Sequence, residues 1–200
     1  MKYPKFLKEN GTIGVCAPSF GCVIEPYVRT KSAINQFDKL GHKVILTENV
    51  TRHRTIRSSS KSTRAKDFIK LYKDSNIDVI ISQAGGEVMC EMLTELNFNS
   101  LAKLEPKWFM GYSDNTNLSF LLPTLCDVAS IYGYCFPEFG MEKWHESVQD
   151  HYALLTGNKF KMSGYGKYEV KSLKKKPGMA LTGYNLTKDV KYHCLSKQKE

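Results

Sequence analysis

The 200-residue chain contains no apolar run long enough to cross a bilayer, and residues 1–10 hold no hydrophobic core of a signal peptide. Both absences give the expectation of a cytoplasmic protein without a membrane partner. The six cysteines (Cys16, Cys22, Cys90, Cys126, Cys135, Cys194) form no Cys-x-x-Cys pair and have no paired histidines beside them. That argues against zinc and against a disulfide framework, and for buried free thiols in a reducing compartment. Three glycosylation sequons, at Asn49, Asn117 and Asn185, carry no meaning without secretion. Gly11 and Gly14 do not complete a G-x-G-x-x-G run and no acidic residue ends the second strand-like segment, so a dinucleotide fingerprint is absent. No internal repeat is visible. The net charge of +9 is concentrated in residues 52–64 and 167–176, but without interleaved aromatics or a recognition helix. Nucleic acid is therefore not expected as a partner, and the basic surface reads as solvated, with a mild preference for anionic small molecules.

What is present is a core-forming composition, 42% apolar with only 7 prolines, arranged as alternating strand-like and helix-like segments. Thr12-Ile13-Gly14-Val15-Cys16-Ala17 reads as a buried parallel strand ending at Pro18. Residues 26–40 form a helix, stopped by Gly41, and residues 42–46 a second strand. The clearest helix covers residues 63–74, where Ala65, Phe68, Ile69 and Tyr72 make one apolar face. Residues 77–82 are a third strand, rich in β-branched side chains, that runs into Gly85-Gly86. A helix presenting Met89, Met92, Leu93 and Leu96 follows. Trp108 marks a fourth strand and residues 128–132 a fifth. This order predicts an α/β fold: a doubly wound, mostly parallel sheet with helices on both faces, Rossmann- or flavodoxin-like. Residues 1–160 would form that domain, and residues 161–200, polar and basic, a linker and the start of another.

Ligands of such sheets bind beyond the carboxyl ends of the strands, which is where Gly111-Tyr112-Ser113-Asp114 falls. A serine on a tight strand-to-helix turn holds its hydroxyl clear of the backbone, with amides beyond it aimed at whatever the hydroxyl attacks. Ser113 is thus the candidate nucleophile of a hydrolase. Serine and aspartate also cap helices, and that alternative would tie the Ser113 oxygen to its own turn. The match to G-x-S-x-G is incomplete, because Asn115 stands where the second glycine would be. Gly85-Gly86, one strand away, is either a turn needing positive φ or a place where a backbone N–H can approach an oxyanion. None of His42, His53, His145, His151 or His193 is marked by the sequence as a base for Ser113, and Glu87, Glu138 and Glu142 are not distinguished from surface carboxylates.

Taken together, several motifs in register resemble the LD-carboxypeptidase family of serine peptidases, which includes the microcin C immunity proteins. They are Gly11-Thr12-Ile13-Gly14-Val15-Cys16-Ala17-Pro18-Ser19, Arg64-Ala65-Lys66-Asp67-Phe68, Gly85-Gly86 and Gly111-Tyr112-Ser113-Asp114. Tyr132-Gly133 and Tyr184-Asn185-Leu186-Thr187 look closer to the microcin-immunity branch. The resemblance implies Ser113 as catalytic nucleophile, with an oxyanion hole from the amides of Gly86 and Asp114, and Gly85 and Glu87 at the substrate. Gly85 is the alternative to Gly86 in the hole. It implies no metal or cofactor, and a peptide-like small substrate: a murein tetrapeptide or a microcin-type aminoacyl nucleotide. The glutamate and histidine of the family's triad belong to a C-terminal domain, and no residue here matches them. Ala84 departs from the residue usual before the glycine pair. The expectation is therefore a nucleophile-bearing part that is nearly inactive alone and takes a second chain or a second copy as partner. The rival expectation is a non-catalytic truncated product or small-molecule binding module of the same fold.

Overall fold

A computed structural model describes residues 1–22, 26–52, 55–174 and 176–193; His53 and Cys194, named above, lie outside them. Five strands form one parallel sheet: β1 Thr12–Cys16, β2 Lys43–Leu46, β3 Val79–Ser82, β4 Trp108–Gly111 and β5 Ile131–Tyr132. Their order across the sheet is β2-β1-β3-β4-β5, the flavodoxin-like doubly wound arrangement. Five α-helices connect or follow them: α1 Pro26–Lys39, α2 Lys61–Lys73, α3 Phe98–Leu101, α4 Thr116–Cys126 and α5 Glu146–Leu155.

The two-residue period of the strands divides the core. In β1, Ile13 and Val15 face a layer formed by Ala33 and Phe37 of α1, Phe136 and Phe139 after β5, and Val148 and Leu155 of α5. Cys16 and the neighbouring Ile80 and Phe109 face the other way, onto Phe68, Leu71 and Tyr72 of α2 and Leu118 and Leu122 of α4. Burying a side chain of this size stabilises the fold by about 1.5–3 kcal/mol. Of the α2 face expected from the sequence, Ala65, Phe68 and Tyr72 are buried and Ile69 partly so, with Leu71 buried beside them; the helix is started by Ser60, whose hydroxyl accepts the Thr63 N–H at 3.2 Å.

Two local expectations change, the helix after Gly86 and the burial of every cysteine. The segment after Gly85-Gly86 is a 3-10 helix, Met89–Glu95, and not an α-helix. Met89 and Met92, spaced by three, fill the core at the tighter period. Within residues 161–200, expected as a linker and the start of another domain, lies an antiparallel pair, β6 Lys167–Glu169 with β7 Leu186–Asp189. Five described cysteines are free; Cys16, Cys126 and Cys135 are buried, whereas Cys90 is exposed. No helix among the described residues is long and apolar enough to cross a membrane.

Candidate active site

The loops leaving the carboxyl ends of β1, β3 and β4 converge on Ser113. Strand β4 ends at Gly111, Tyr112 stays extended, and Ser113 turns to φ +63° before a 3-10 turn, Ser113–Asn115, leads into α4. A non-glycine residue in this left-handed region costs about 1–3 kcal/mol, so the surroundings must impose it. Asn115 does so. It is fully buried, and its Nδ2 donates to Tyr112 O at 2.9 Å and to Ala84 O at 3.1 Å. It fits because Gly111 has no side chain, since a Cβ there would stand 2.7 Å from Asn115 Cγ. The Thr116 hydroxyl donates to Ser113 O at 2.6 Å, and the Ser113 N–H donates to Tyr132 Oη at 3.2 Å.

Ser113 is exposed, and its hydroxyl has no hydrogen-bond partner among the described residues. It caps neither the 3-10 turn, where Tyr112 is the N-cap, nor α4, where Asn115 is. The helix-capping alternative is therefore not the one the fold adopts. Gly85 lies directly against it: a Cβ on Gly85 would sit 3.0 Å from Ser113 Cβ and 3.2 Å from its Oγ. Gly86 takes φ +151°, and a Cβ on it would collide with Ser19 Oγ and come within 2.6 Å of the Phe20 ring. Neither the Gly86 N–H nor the Asp114 N–H has an acceptor among the described residues. Glu87 is exposed and forms no hydrogen bond or ion pair among them, so nothing in the fold ties it to Ser113.

The Asp114 carboxylate is engaged elsewhere. Its Oδ2 accepts the Ser19 hydroxyl at 2.5 Å and the Met89 N–H at 2.9 Å, while Oδ1 accepts Asn117 Nδ2 at 3.0 Å. It joins loops and does not approach Ser113 as a base. Beneath the turn lies Cys135, whose thiol is pushed up to about 12 by burial, against the opposing N–H groups of Tyr112 and Gly85. The Glu138 carboxylate, and then burial, raises the Tyr112 phenol above its ordinary range. Both groups are held in the neutral form at neutral pH.

Three of the described histidines are occupied elsewhere. His42 precedes β2 at the amino end of the sheet, opposite to Ser113, with Nε2 2.8 Å from Tyr152 Oη. His145 caps α5, accepting the Ser147 N–H at 3.1 Å. His151 directs Nδ1 to Ser147 O at 2.7 Å and packs its ring 4.2 Å from Tyr134. His193 is exposed near the end of the described chain. No described histidine is hydrogen-bonded to Ser113, and no group of His, Cys, Asp or Glu among the described residues could hold a metal ion. Sequence reasoning did not single out Ser19 or Tyr132 as parts of the site; Ser19 closes the opening motif, which was its only signal.

Comparison with known proteins places the fold in a family. Residues 13–133 match the LD-carboxypeptidase N-terminal domain. A protein of Treponema pallidum (strain Nichols), provisionally named a carboxypeptidase, is 27% identical over 137 residues, 68% of this chain and 40% of its own. Among solved structures, an MccF-like protein from Bacillus anthracis str. Ames is 29% identical with a TM-score of 0.71, over 78% of this chain and 47% of that one. The microcin C7 self immunity protein MccF in its apo state shares the fold with a TM-score of 0.80 at 22% identity, over 94% of this chain and 58% of that one. The chain thus spans about half the length of the relatives it matches. With the family match running from β1 past β5 and enclosing the whole Ser113 turn, the chain belongs to the LD-carboxypeptidase N-terminal domain family.

Proposed function

We propose that the chain carries the nucleophile of a serine hydrolase acting on a peptide-like amide, without metal or cofactor. The observation that carries this reading is the Ser113 hydroxyl, exposed at φ +63° beside the N–H groups of Gly86 and Asp114, all three without a hydrogen-bond partner among the described residues. In this reading Ser113 Oγ bonds to the substrate carbonyl carbon while its proton passes to a base. The carbonyl oxygen takes up the electron pair as an oxyanion, and the two N–H groups hold it. Collapse breaks the C–N bond, the amine leaves with the proton, and water then releases the acyl group from Ser113. Gly85 leaves the space above Oγ open for the substrate carbonyl.

The base, by resemblance a histidine held by a glutamate, would be supplied from outside the described residues. One misplaced oxyanion donor costs about 10²–10³ in turnover, but without a base the serine stays protonated. These residues alone should therefore turn over very slowly. Two substrates fit the resemblance: the L,D-bond of a murein tetrapeptide, and an aminoacyl nucleotide of the microcin type. Structures of MccF with aspartyl sulfamoyl adenosine and of a Streptococcus pneumoniae MccF-like protein with AMP support the second.

The test mixes the chain with a separately expressed C-terminal half of an MccF-like relative and follows amide hydrolysis of both substrates. Turnover that appears only in the mixture and vanishes with Ser113→Ala is expected. Equal turnover by Ser113→Ala, or none by the mixture with either substrate, would refute the hydrolase reading and leave the binding-module alternative.

A further inference from the structure

A hydrolase of this design must aim a backbone N–H on the β3 loop at an oxygen bound to a serine on the β4 loop. The two loops belong to different strands, so something must fix one against the other. Two fully buried polar side chains do this, and neither is a candidate for touching substrate: Arg64 on α2 and Ser19 on the loop after β1.

Arg64 spends its planar fork on four acceptors. Nη1 donates to Pro18 O at 2.7 Å and to Val88 O at 2.8 Å, Nε donates to Ser59 O at 3.1 Å, and Nη2 donates to Glu91 Oε2 at 2.6 Å. One guanidinium thereby binds the β1 loop to the β3 loop, with the half-buried Glu91 as its counter-ion. A lysine ammonium, a single point of charge, cannot reach these divergent carbonyls together. Ser19 completes the connection on the opposite side of Val88. Its hydroxyl accepts the Val88 N–H at 3.3 Å and donates to Asp114 Oδ2 at 2.5 Å, while Asp114 Oδ2 also takes the Met89 N–H. The Phe20 N–H adds a bond to Gly85 O at 3.1 Å. The Ser19 oxygen occupies the space that a Cβ on Gly86 would need, so it packs directly against the Gly86 backbone. Val88 is thus held at its carbonyl by Arg64 and at its amide by Ser19, two residues beyond the Gly86 peptide.

We propose that Arg64 and Ser19 are positioning residues that set the direction of the Gly86 N–H toward Ser113, acting through Val88 and the Asp114 carboxylate. Removing the Ser19 hydroxyl leaves the Val88 N–H without its acceptor and opens a gap beside the Gly86 peptide. Shortening the fork of Arg64 frees the same loop from the other side. Either change lets the Gly86 peptide rotate while Ser113, held by Asn115 and Thr116, stays in place.

This proposal rests on the hydrolase reading only for its catalytic consequence, and the experiment separates the two. The first readout needs no turnover: the Gly86 amide resonance of the ¹⁵N-labelled chain, in Ser19→Ala and in Arg64→Lys, with Lys66→Ala on the exposed side of α2 as control. Displacement of that resonance in Ser19→Ala, well beyond any in Lys66→Ala, is expected. An unmoved Gly86 resonance in Ser19→Ala overturns the proposal, even if Arg64→Lys fails to fold. The second readout is kinetics in the complemented mixture, where kcat should fall about 10–100-fold with KM within twofold, part of the loss seen when an oxyanion donor is removed. A rise in KM at unchanged kcat also overturns the proposal. If the wild-type mixture turns over nothing, the hydrolase reading fails alone and the amide resonance still decides this one.

Discussion

Exchanging Gly85 and Gly86 for alanine, one at a time, gives two opposite outcomes from adjacent residues. At Gly86 the backbone sits at φ +151°, a region that L side chains rarely enter, at a cost of about 1–3 kcal/mol. The new methyl also meets Ser19, which is fully buried and tied to Asp114 and Val88, and the Phe20 ring at 2.6 Å. Ser19 cannot move without breaking those bonds, and overpacking of this kind adds about 1–3 kcal/mol. Gly86→Ala should therefore lose roughly 2–6 kcal/mol of stability, which for a chain of this length lowers Tm by about 4–24 °C. At Gly85 φ is not positive, and the methyl meets Ser113 Cβ at 3.0 Å and Tyr112 O at 3.4 Å, at an exposed edge that can give by a few tenths of an ångström. The stiffer unfolded chain returns about 0.4–1 kcal/mol, so Gly85→Ala should melt within about 1 kcal/mol of wild type. Its methyl nevertheless covers the Ser113 hydroxyl, so turnover of the complemented mixture should drop at least tenfold. Urea unfolding followed by tryptophan fluorescence, with equal m values, measures the first effect. A Gly86→Ala midpoint equal to wild type, or Gly85→Ala as the weaker of the two proteins, would refute the reasoning.

Asn115→Ala removes the amide that serves the carbonyls of Tyr112 and Ala84, and should destabilise by about 2–4 kcal/mol in the same urea assay. A loss below about 0.5 kcal/mol would mean that Ser113 does not need Asn115 to hold its left-handed turn. The pH dependence follows from His42 and His151, both held below the ordinary histidine range, chiefly by burial. Their folded pKa lies below the unfolded one, so the unfolded chain binds protons first as pH falls. Stability should be full above the unfolded histidine pKa, about 6.5, and decline as pH drops from there toward the folded values. Thermal melts between pH 7.5 and 5 test this, and a His42→Gln variant with an unchanged slope would remove His42 from the account.

Local information made much of the fold legible. The strands of the sheet are short apolar runs bounded by glycine, proline or helix caps, and the apolar face of α2 is spelled out by residues 65, 68, 69 and 72. The Ser113 turn was likewise readable, because a glycine, a serine and an aspartate between a strand and a helix are near neighbours in the chain. The segment after Gly86 suggested an α-helix because Met89, Met92, Leu93 and Leu96 fall at i, i+3, i+4 and i+7; only Met89 and Met92 keep the three-residue spacing of the 3-10 helix that forms. The strands of the β6–β7 pair were not placed by the sequence, since exposed polar strands carry no apolar alternation and are fixed only through pairing.

The site divides along the same line. By itself the sequence determined the family, the sheet, and which serine stands at a strand end, since these depend on residues within a few positions of one another. Tertiary structure alone decided what holds that serine and its neighbouring amides. Ser19 reaches Asp114 across 95 positions, and Arg64 reaches Pro18 across 46 and Val88 across 24. A buried hydroxyl or guanidinium is constrained by the acceptors that surround it in space, and no local pattern of residues encodes which distant carbonyls those will be.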